Sequence, residues 1–455
     1  MPYEDDWTVV PLIHTALHGN LTFGGLWALH DENRMLVPNL IFVGLGVTTH
    51  DNLVALTIVS AVTFIAAFAV FLVLFRSYLA RPVTPLAVLV LGLLWFSVAG
   101  WNNALWGFQV SWYLILFFLM GMTALLVFRR PPRIAFPLAI LAALLASWSF
   151  LQGLILWPVG LICLLWLLPV DPRRWSRRSR IEVLTWLGST AVAAVTSLWG
   201  YQFGTLGCNV AGSIRFNCSG SVSSYAQGHP LQVGEFVLVS MGEVLPNSHT
   251  GTLWLNGVLG TALLVAAGYV VVRSVQSRHL GRNCLPVALI AFGFLDDVLI
   301  ATGRAQFLTN LAPSSVYTMP NLLILVGIAS YAWARFPLAA GGSTTRRRAL
   351  VATGVLLLVV QVVLATHSGV QGARYFDRHQ ATGARLVVNL DRIPAGSKGC
   401  YDFYGEFVYL IFAPSVGTYP AFGEARQDAL SVFSPNLYRQ YRAEGLPPIP
   451  QCAPR

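Results

Sequence analysis

Long apolar runs separated by short polar segments dominate the hydrophobic pattern of this 455-residue chain. A helix needs about 20 mainly apolar residues to cross the hydrocarbon core of a bilayer. Runs of about that length lie at 53–75, 85–101, 108–128, 134–149, 150–169, 181–203, 253–272, 284–302, 315–334 and 349–366. The pattern therefore predicts an all-α polytopic membrane protein with about ten transmembrane helices. The pair 134–149 and 150–169 is tight enough to be one long kinked segment instead.

Composition supports the same class of protein. Only 11% of the residues are charged and 55% are hydrophobic, whereas soluble domains carry about 25% charged residues. Of the 29 basic residues only Lys398 is a lysine, a bias that suggests a GC-rich bacterial genome. We therefore predict a multi-pass protein of the bacterial plasma (inner) membrane. The net charge of +10 then reflects the sidedness of the loops, and no nucleic-acid partner is expected.

Arginine is distributed unevenly between alternate loops. One set of loops holds 17 arginines: Arg76, Arg81, Arg129, Arg130, Arg133, Arg173, Arg174, Arg177, Arg178, Arg180, Arg273, Arg278, Arg282, Arg335, Arg346, Arg347 and Arg348. The opposite set, apart from the C-terminal tail, holds only Arg34, Arg215 and Arg304. Since cytoplasmic loops carry the excess of basic residues, the first set is predicted to be cytoplasmic.

This orientation places residues 1–52, the loop 204–252 and the tail 367–455 outside the cytoplasm. The sequence thus predicts a transmembrane domain over 1–366 with outside loops 1–52 and 204–252. The tail alternates apolar and polar residues in ARLVVNL and FVYLIF, which predicts a small extracytoplasmic α/β cap. An outside N-terminus without a preceding helix is unusual, so we expect a further helix upstream of Met1. Translocation of a short acidic tail is the alternative.

The cysteines fall into two groups under this topology. Cys208 and Cys218 share the long outside loop, and Cys400 and Cys452 share the outside tail. Because disulfides form in oxidising compartments, we predict the pairs 208–218 and 400–452, with four free thiols as the alternative. Cys163 and Cys284 lie alone, in or at the ends of predicted helices.

Two polar clusters lie in the N-terminal stretch before the first apolar run. Glu4, Asp5 and Asp6 form the first, and the second is His30-Asp31-Glu32-Asn33-Arg34. A carboxylate at a membrane surface can act as a general base toward a hydroxyl group, or hold a divalent cation such as Mg²⁺ or Mn²⁺. Arginine suits phosphate because its donors form a planar fork. A solvated N-terminal tail and an interfacial anchor are the plain alternatives.

A third polar cluster lies near the end of the predicted helix 284–302. Asp296 and Asp297 are intramembrane acids, which are costly and are functional candidates by default. Arg304 follows them, and is either the ion-pair partner of one of these acids or a ligand for a lipid-linked phosphate. Tyr317 and Asn321 could line the same site.

Residues 100–114, GWNNALWGFQVSWYL, combine Asn102, Asn103 and Gln109 with three tryptophans. Tryptophan faces and amide groups suit carbohydrate, but an aromatic belt at the bilayer surface has the same composition. Four histidines of the N-terminal region, His14, His18, His30 and His50, lack the spacing of a recognisable zinc site.

In their order along the chain, these motifs resemble the GT-C superfamily of multi-pass glycosyltransferases over about residues 3–335. The resemblance is carried by Glu4-Asp5-Asp6-Trp7, Asp31-Glu32-Asn33-Arg34, the segment 104–109 (ALWGFQ), Gly303-Arg304 and Ser315-Val316-Tyr317. Asn33 stands where the family pattern has His, and Val316 stands where it has Arg. The second departure removes one expected phosphate contact and puts more weight on Arg304. The family's first helix has no counterpart in this chain.

The resemblance implies an inverting transfer of a sugar from a polyprenyl-phosphate donor to a hydroxyl of an envelope glycan, lipid or protein. It implies Asp6 or Asp5 as the base, with Glu32 as a second acid or as the group that positions the acceptor. Arg304 and Arg34 are the implied phosphate partners. The remaining implied substrate-binding residues are Trp7, His30, Asn102, Gln109 and Tyr317. Metal dependence stays open, and a lipid or glycan transporter and a structural envelope protein are the rival interpretations.

Overall fold

The structure of the protein is a computed structural model, and it describes residues 5–30, 32–128, 132–169, 171–201, 222–246, 253–277, 284–307, 312–335, 344–393 and 418–447. The four cysteines of the two predicted disulfides lie outside these residues, as do Glu4 and Asp31. Cys163 and Cys284 are described, and both are free and buried. Neither thiol is in a disulfide, which agrees with their prediction as single cysteines.

The described residues are almost entirely helical. The N-terminal helices are α1 Asp6–Leu17, α2 Phe23–Leu26, α3 Leu36–Thr49, α4 Leu53–Leu79, α5 Pro85–Trp95, α6 Trp101–Leu105, α7 Val110–Phe128, α8 Pro132–Ser147 and α9 Leu156–Leu167. The later ones are α10 Arg177–Leu198, α11 Val222–Gly228, α12 Pro230–Gly242, α13 Leu253–Gln276, α14 Cys284–Arg304, α15 Thr318–Arg335, α16 Thr344–Val388, α17 Thr418–Gln427 and α18 Pro435–Glu444. Two short antiparallel strands, β1 Leu29–His30 and β2 Asn33–Arg34, form a hairpin in which His30 is opposite Asn33.

Eight helical segments of the described chain are long and apolar enough to cross a membrane, which confirms the prediction of an all-α polytopic chain. They are Leu53–Leu79, Pro85–Leu105, Gly107–Phe128, Arg177–Leu198, Leu253–Gln276, Cys284–Arg304, Ser315–Arg335 and Ala352–Val388. These eight coincide with eight of the ten predicted runs. Their outward faces are apolar; Val54, Ile58 and Val62 on α4, for example, are more than half exposed. Exposed apolar faces of this kind fit a lipid bilayer.

The remaining two predicted runs, 134–149 and 150–169, correspond to the shorter helices α8 and α9. A 3-10 turn at Leu151–Ile155 separates them and packs directly on the end of α8. Gly153 permits this contact, because a Cβ atom there would lie 1.9 Å from the Ala146 carbonyl oxygen. The two runs are therefore separate helices and not one kinked segment.

Helices α14 and α15 pack closely at the centre of the bundle. A Cβ on Gly293 would lie 2.4 Å from the Pro320 carbonyl oxygen, and one on Gly327 would lie 2.9 Å from that of Pro286. Small residues let membrane helices approach in this way. This packing fixes the position of Arg304, at the end of α14, relative to the turn that precedes α15.

The described C-terminal part is helical. Helix α16 continues without a break from Thr344 to Val388, so the predicted boundary at 366–367 falls inside it. The segment ARLVVNL, interpreted as alternating, is helical through Val388, and both Leu386 and Val387 are buried. The described tail contains helices only, and the segment FVYLIF lies outside the described residues. An α/β cap is therefore not confirmed.

The described tail packs on the N-terminal helix α1. Trp7 and Ile13 of α1 share a buried apolar cluster with Phe422 of α17 and Val432. The rings of Trp7 and Phe422 make an edge-to-face contact at 4.5 Å. The tail is thus held against the start of the chain, next to the hairpin.

Candidate functional site

The β1–β2 hairpin is anchored by the two residues of its second strand. Arg34 is buried, donates from both terminal nitrogens to the carbonyl oxygens of Trp27 and Trp199, and stacks over the Trp27 ring at 5.2 Å. The Asn33 side-chain oxygen accepts a hydrogen bond from the Leu151 backbone at 3.0 Å. Because α10 and the turn before α9 supply these contacts, the hairpin has a fixed position on the bundle.

The first acid of the N-terminal cluster faces this hairpin. The Asp5 carboxylate lies 3.5 Å from His30 Nε2. The Thr8 hydroxyl donates to the Asp5 carbonyl oxygen at 2.6 Å and lies 3.4 Å from His30 Nδ1. Helix α1 therefore presents Asp5 and Thr8 to the same imidazole, which in turn packs on Phe108 with ring centroids 5.3 Å apart.

The turn of the hairpin carries a second charged pair. Glu32 accepts a hydrogen bond from Arg304 at 3.1 Å, although the two residues are 272 positions apart in sequence. The Arg304 side chain remains 36% exposed. Burial raises the pKa of Tyr201, and the nearby Glu32 carboxylate raises it further while Arg304 lowers it. The tyrosine hydroxyl thus belongs to the same electrostatic group.

The two charged pairs are close to each other because His30 and Glu32 are separated by a single residue. Two residues of extended chain span about 7 Å at most. Asp5, His30, Glu32 and Arg304 therefore surround one end of the hairpin. Segments from the start of the chain and from the end of α14 meet there.

Asp6 has a different environment from Asp5. It is buried and lines a small pocket together with Phe42, Gly46 and Asp51. Burial raises the pKa of Asp51 from 3.8 to about 6. Asp51 was not among the predicted site residues, although it lies just before the first long apolar run, which is the same signal that singled out the hairpin residues.

Several other predicted site residues have mainly structural contacts. Trp7 is in the apolar contact with the tail, and the burial of Arg34 disfavours its predicted contact with a phosphate. Gln109 is buried directly before α7, and Asn102 is half-buried in α6. Tyr317 is half-buried in a 3-10 turn, and its carbonyl oxygen accepts from the Asn321 side chain at 3.1 Å.

Arg304 contacts Glu32, whereas an ion pair with Asp296 or Asp297 was one of the two roles that the sequence left open for it. Asp296 and Asp297 are both buried within α14. Asp297 accepts from the Ser240 hydroxyl at 3.0 Å and has the Asn321 amide beside it. The Asp296 carboxyl oxygens have no hydrogen-bond partner among the described residues.

The acidic residues at the hairpin point to different partners, which bears on whether they can hold a divalent ion. Within the described ranges, no three His, Cys, Asp or Glu side chains converge at the hairpin closely enough to share an ion. Asp5 is beside His30, Asp6 faces an apolar pocket, and Glu32 contacts Arg304. The described groups therefore do not form a Mg²⁺ or Mn²⁺ site there.

No protein-family model, curated protein or solved structure matches this chain. The chemistry of the site therefore follows from the groups that it contains. These are a carboxylate beside an imidazole, and a half-exposed arginine held by a second carboxylate. The first pair can accept a proton, and the arginine can bind an anion.

Proposed function

We propose that the chain is a membrane glycosyltransferase of the GT-C type. It would transfer a sugar, with inversion, from a polyprenyl-phosphate donor to a hydroxyl group of an envelope glycan, lipid or protein. The observation that carries this proposal is the meeting of Asp5, His30, Glu32 and Arg304 around one hairpin at an end of an apolar helix bundle. The arrangement combines a base and a cation beside the lipid.

In the proposed reaction the acceptor hydroxyl oxygen attacks the anomeric carbon of the donor sugar. The bond from that carbon to the phosphate oxygen breaks, and polyprenyl phosphate leaves with the electron pair. The acceptor proton goes to the Asp5 carboxylate, which His30 orients at 3.5 Å. Arg304 is the partner of the departing phosphate, and Glu32 holds its guanidinium in place.

An apolar pocket beside this end of the bundle fits the lipid part of such a donor. It lies between α4, α5 and α15, and its lining includes Phe64, Trp95, Tyr113 and Met319. Asn103 is at its polar side and donates to the Val316 carbonyl oxygen at 2.9 Å. Val316 adjoins Tyr317, so the pocket reaches the turn before α15.

The arginine distribution supports an outer location for this site. Arg81 donates to the Trp333 carbonyl oxygen at 3.4 Å, at the end of the bundle where α4 and α15 finish. The hairpin lies at the other end, where α4 begins and α14 finishes. By the positive-inside rule, the hairpin end then faces away from the cytoplasm, where a lipid-linked sugar is available.

The proposal is tested by sugar transfer from radiolabelled polyprenyl-phosphate sugars in membranes that contain the full chain. Asp5→Asn should lower the transfer rate by about 10²–10⁴-fold, the usual contribution of a general base. Asp6→Asn should have a smaller effect, because Asp6 faces the pocket with Asp51. Asp171→Asn, on an exposed turn before α10, is the matched control. Full activity of the Asp5→Asn, Asp6→Asn and double variants would refute the assignment.

A transporter is the second candidate function, and the buried pair Asp296 and Asp297 is the observation that favours it. Intramembrane acids frequently mark ion or proton pathways. Reconstituted protein would then move lipid or glycan across liposomes that contain no lipid-linked sugar, and Asp297→Asn would abolish that flux. Sugar transfer without such flux would exclude this alternative.

A further inference from the structure

Two histidines of α1 and one aspartate of the tail form a cluster apart from the hairpin. His14 Nδ1 lies 2.7 Å from one carboxylate oxygen of Asp428, and His18 Nε2 lies 3.8 Å from the other. One ligand atom from each of the three residues can be chosen so that all lie within 4.8 Å of one another. His14 and His18 are one helical turn apart, so they project from the same face of α1.

The hydrogen bonding of His18 determines which of its nitrogens can bind an ion. Its Nδ1 lies 2.9 Å from the His14 carbonyl oxygen, which can only accept, so Nδ1 carries the proton. In the neutral ring Nε2 then has a free lone pair. That lone pair faces a carboxylate oxygen at 3.8 Å, an arrangement of two acceptors that a cation between them would stabilise.

This arrangement is the usual environment of a metal-binding histidine. Such residues generally donate their second ring nitrogen to a backbone carbonyl or a carboxylate, which fixes the tautomer and the ring orientation. The Asp428 carboxylate is only 8% exposed, and His18 is 41% exposed. A cation at this position would be held from the protein side and open to water on the other.

We propose that His14, His18 and Asp428 bind a divalent transition-metal ion, with zinc as the best fit. Two imidazoles and one carboxylate are ligands that zinc accepts, and three protein ligands leave a fourth position for water. The ion would join α1, which begins beside Asp5 and Asp6, to the residues that follow α17. This proposal does not depend on the proposed transferase activity.

This site is not visible in the sequence, because the third ligand lies 414 positions after His14. The histidine pair alone has the spacing of many helical surface pairs. The packing of the tail on α1, which includes the contact of Trp7 with Phe422, brings Asp428 to this face of α1.

The test uses the full chain, purified in detergent without a histidine tag, stripped with a chelator and titrated with Zn²⁺ or Co²⁺ at neutral pH. We expect one tightly bound zinc per chain, a higher Tm with zinc, and a Co²⁺ visible spectrum typical of nitrogen and oxygen ligands. His18→Ala should weaken binding by at least about 100-fold, since even outer-shell changes cost about 10–100-fold. Because the His18 side chain is exposed, we expect the His18→Ala variant to fold.

His229→Ala is the matched control. His229 is exposed and has the same backbone interaction, Nδ1 to the Tyr225 carbonyl oxygen at 3.1 Å, so this variant should bind zinc as the unchanged chain does. Failure of the unchanged chain to bind zinc would overturn the proposal, as would equal zinc binding by the His18→Ala and Asp428→Asn variants. If the cluster were only a histidine–carboxylate hydrogen bond, Asp428→Asn would lower the Tm equally with zinc and with chelator, which would also overturn it.

Discussion

The hairpin end of the bundle and the middle of α14 both hold a pair of acids, but their surroundings are opposite. At the hairpin, Asp5 and Glu32 face a histidine and an arginine from other parts of the chain, and Arg304 remains partly exposed. Within α14, Asp297 is buried with the neutral partners Ser240 and Asn321. The first arrangement keeps charge where a ligand can reach it. In the second, Asp297 has an internal hydrogen-bond donor, while Asp296 has none among the described residues.

The two regions should therefore lose different amounts of folding free energy when their acids are replaced. A half-exposed ion pair contributes little to folding, about 0–1 kcal/mol, so its removal should be felt mainly in function. The buried Asp297 carboxyl is part of a hydrogen-bond network, and its loss leaves the Ser240 hydroxyl without this acceptor, at a cost of about 1–3 kcal/mol. Stability measurements on the two regions therefore test whether the hairpin is a functional site and α14 a structural one.

The largest effect on stability is expected at Asp297. Asp297→Ala should lower the free energy of unfolding by about 1–3 kcal/mol, because the Ser240 hydroxyl loses its acceptor inside the bundle. Asp297→Asn keeps an acceptor oxygen and should cost less. Thermal unfolding in detergent measures both changes. Thr302→Ala, whose hydroxyl bonds only within α14 to Leu299 at 2.7 Å, is the control on the same helix. Equal stability of Asp297→Ala and this control would remove the structural interpretation of the α14 acids.

A smaller, pH-dependent effect is expected at Asp51, which is half-buried at the hairpin end and lines the same pocket as Asp6. Burial raises its pKa in the folded chain to about 6 from 3.8, so between these values the folded state binds more protons than the unfolded state. Stability should then fall as pH rises from about 4 to above 6. Asp51→Asn should stabilise the protein at pH 7 by an amount on the order of 1 kcal/mol and reduce this slope.

Asparagine suits this position because Asp51 has a left-handed backbone, with φ 57°, which asparagine adopts readily. The measurement is the Tm between pH 4 and pH 7.5 for both proteins. A pH profile of stability that is the same in the variant and in the unchanged chain would contradict the assignment of this slope to Asp51.

The membrane-spanning helices could be predicted from the sequence because bilayer thickness sets their length. The turn at Gly153 could not, since it depends on contact with Ala146 rather than on hydropathy. The helical course of residues 384–388 was not predicted, because the adjacent residues Leu386, Val387 and Val388 are all buried in one cluster with the tail. The alternation of apolar and polar residues in this segment therefore does not predict a strand.

The candidate site was only partly predictable for a related reason. Acids and arginines at the ends of apolar runs are visible in the sequence, which is why Asp5, Glu32 and Arg304 were singled out. Their pairing is not visible, since Glu32 and Arg304 are 272 positions apart. The anchoring role of Arg34 likewise depends on the Trp199 carbonyl oxygen, 165 positions away.

The smallest effect on stability is expected for the Glu32–Arg304 pair, and this prediction bears most directly on the comparison. In a double-mutant cycle of Glu32→Gln and Arg304→Gln, the coupling in the free energy of unfolding should be below about 1 kcal/mol, since water screens the half-exposed guanidinium. The coupling in sugar-transfer rate should be larger, because in the proposed reaction Glu32 positions the Arg304 guanidinium that receives the departing phosphate.

The two couplings are measured on the same four proteins, by thermal unfolding and by transfer from a radiolabelled lipid donor. If Arg304 only stabilised the hairpin, each variant, including the double variant, would lose transfer rate only in proportion to its loss of Tm. A rate loss without a matching loss of Tm is possible only if the guanidinium contacts something that is absent from the resting protein. That result would place the hairpin pair and the α14 acids in different functional classes, as their surroundings indicate.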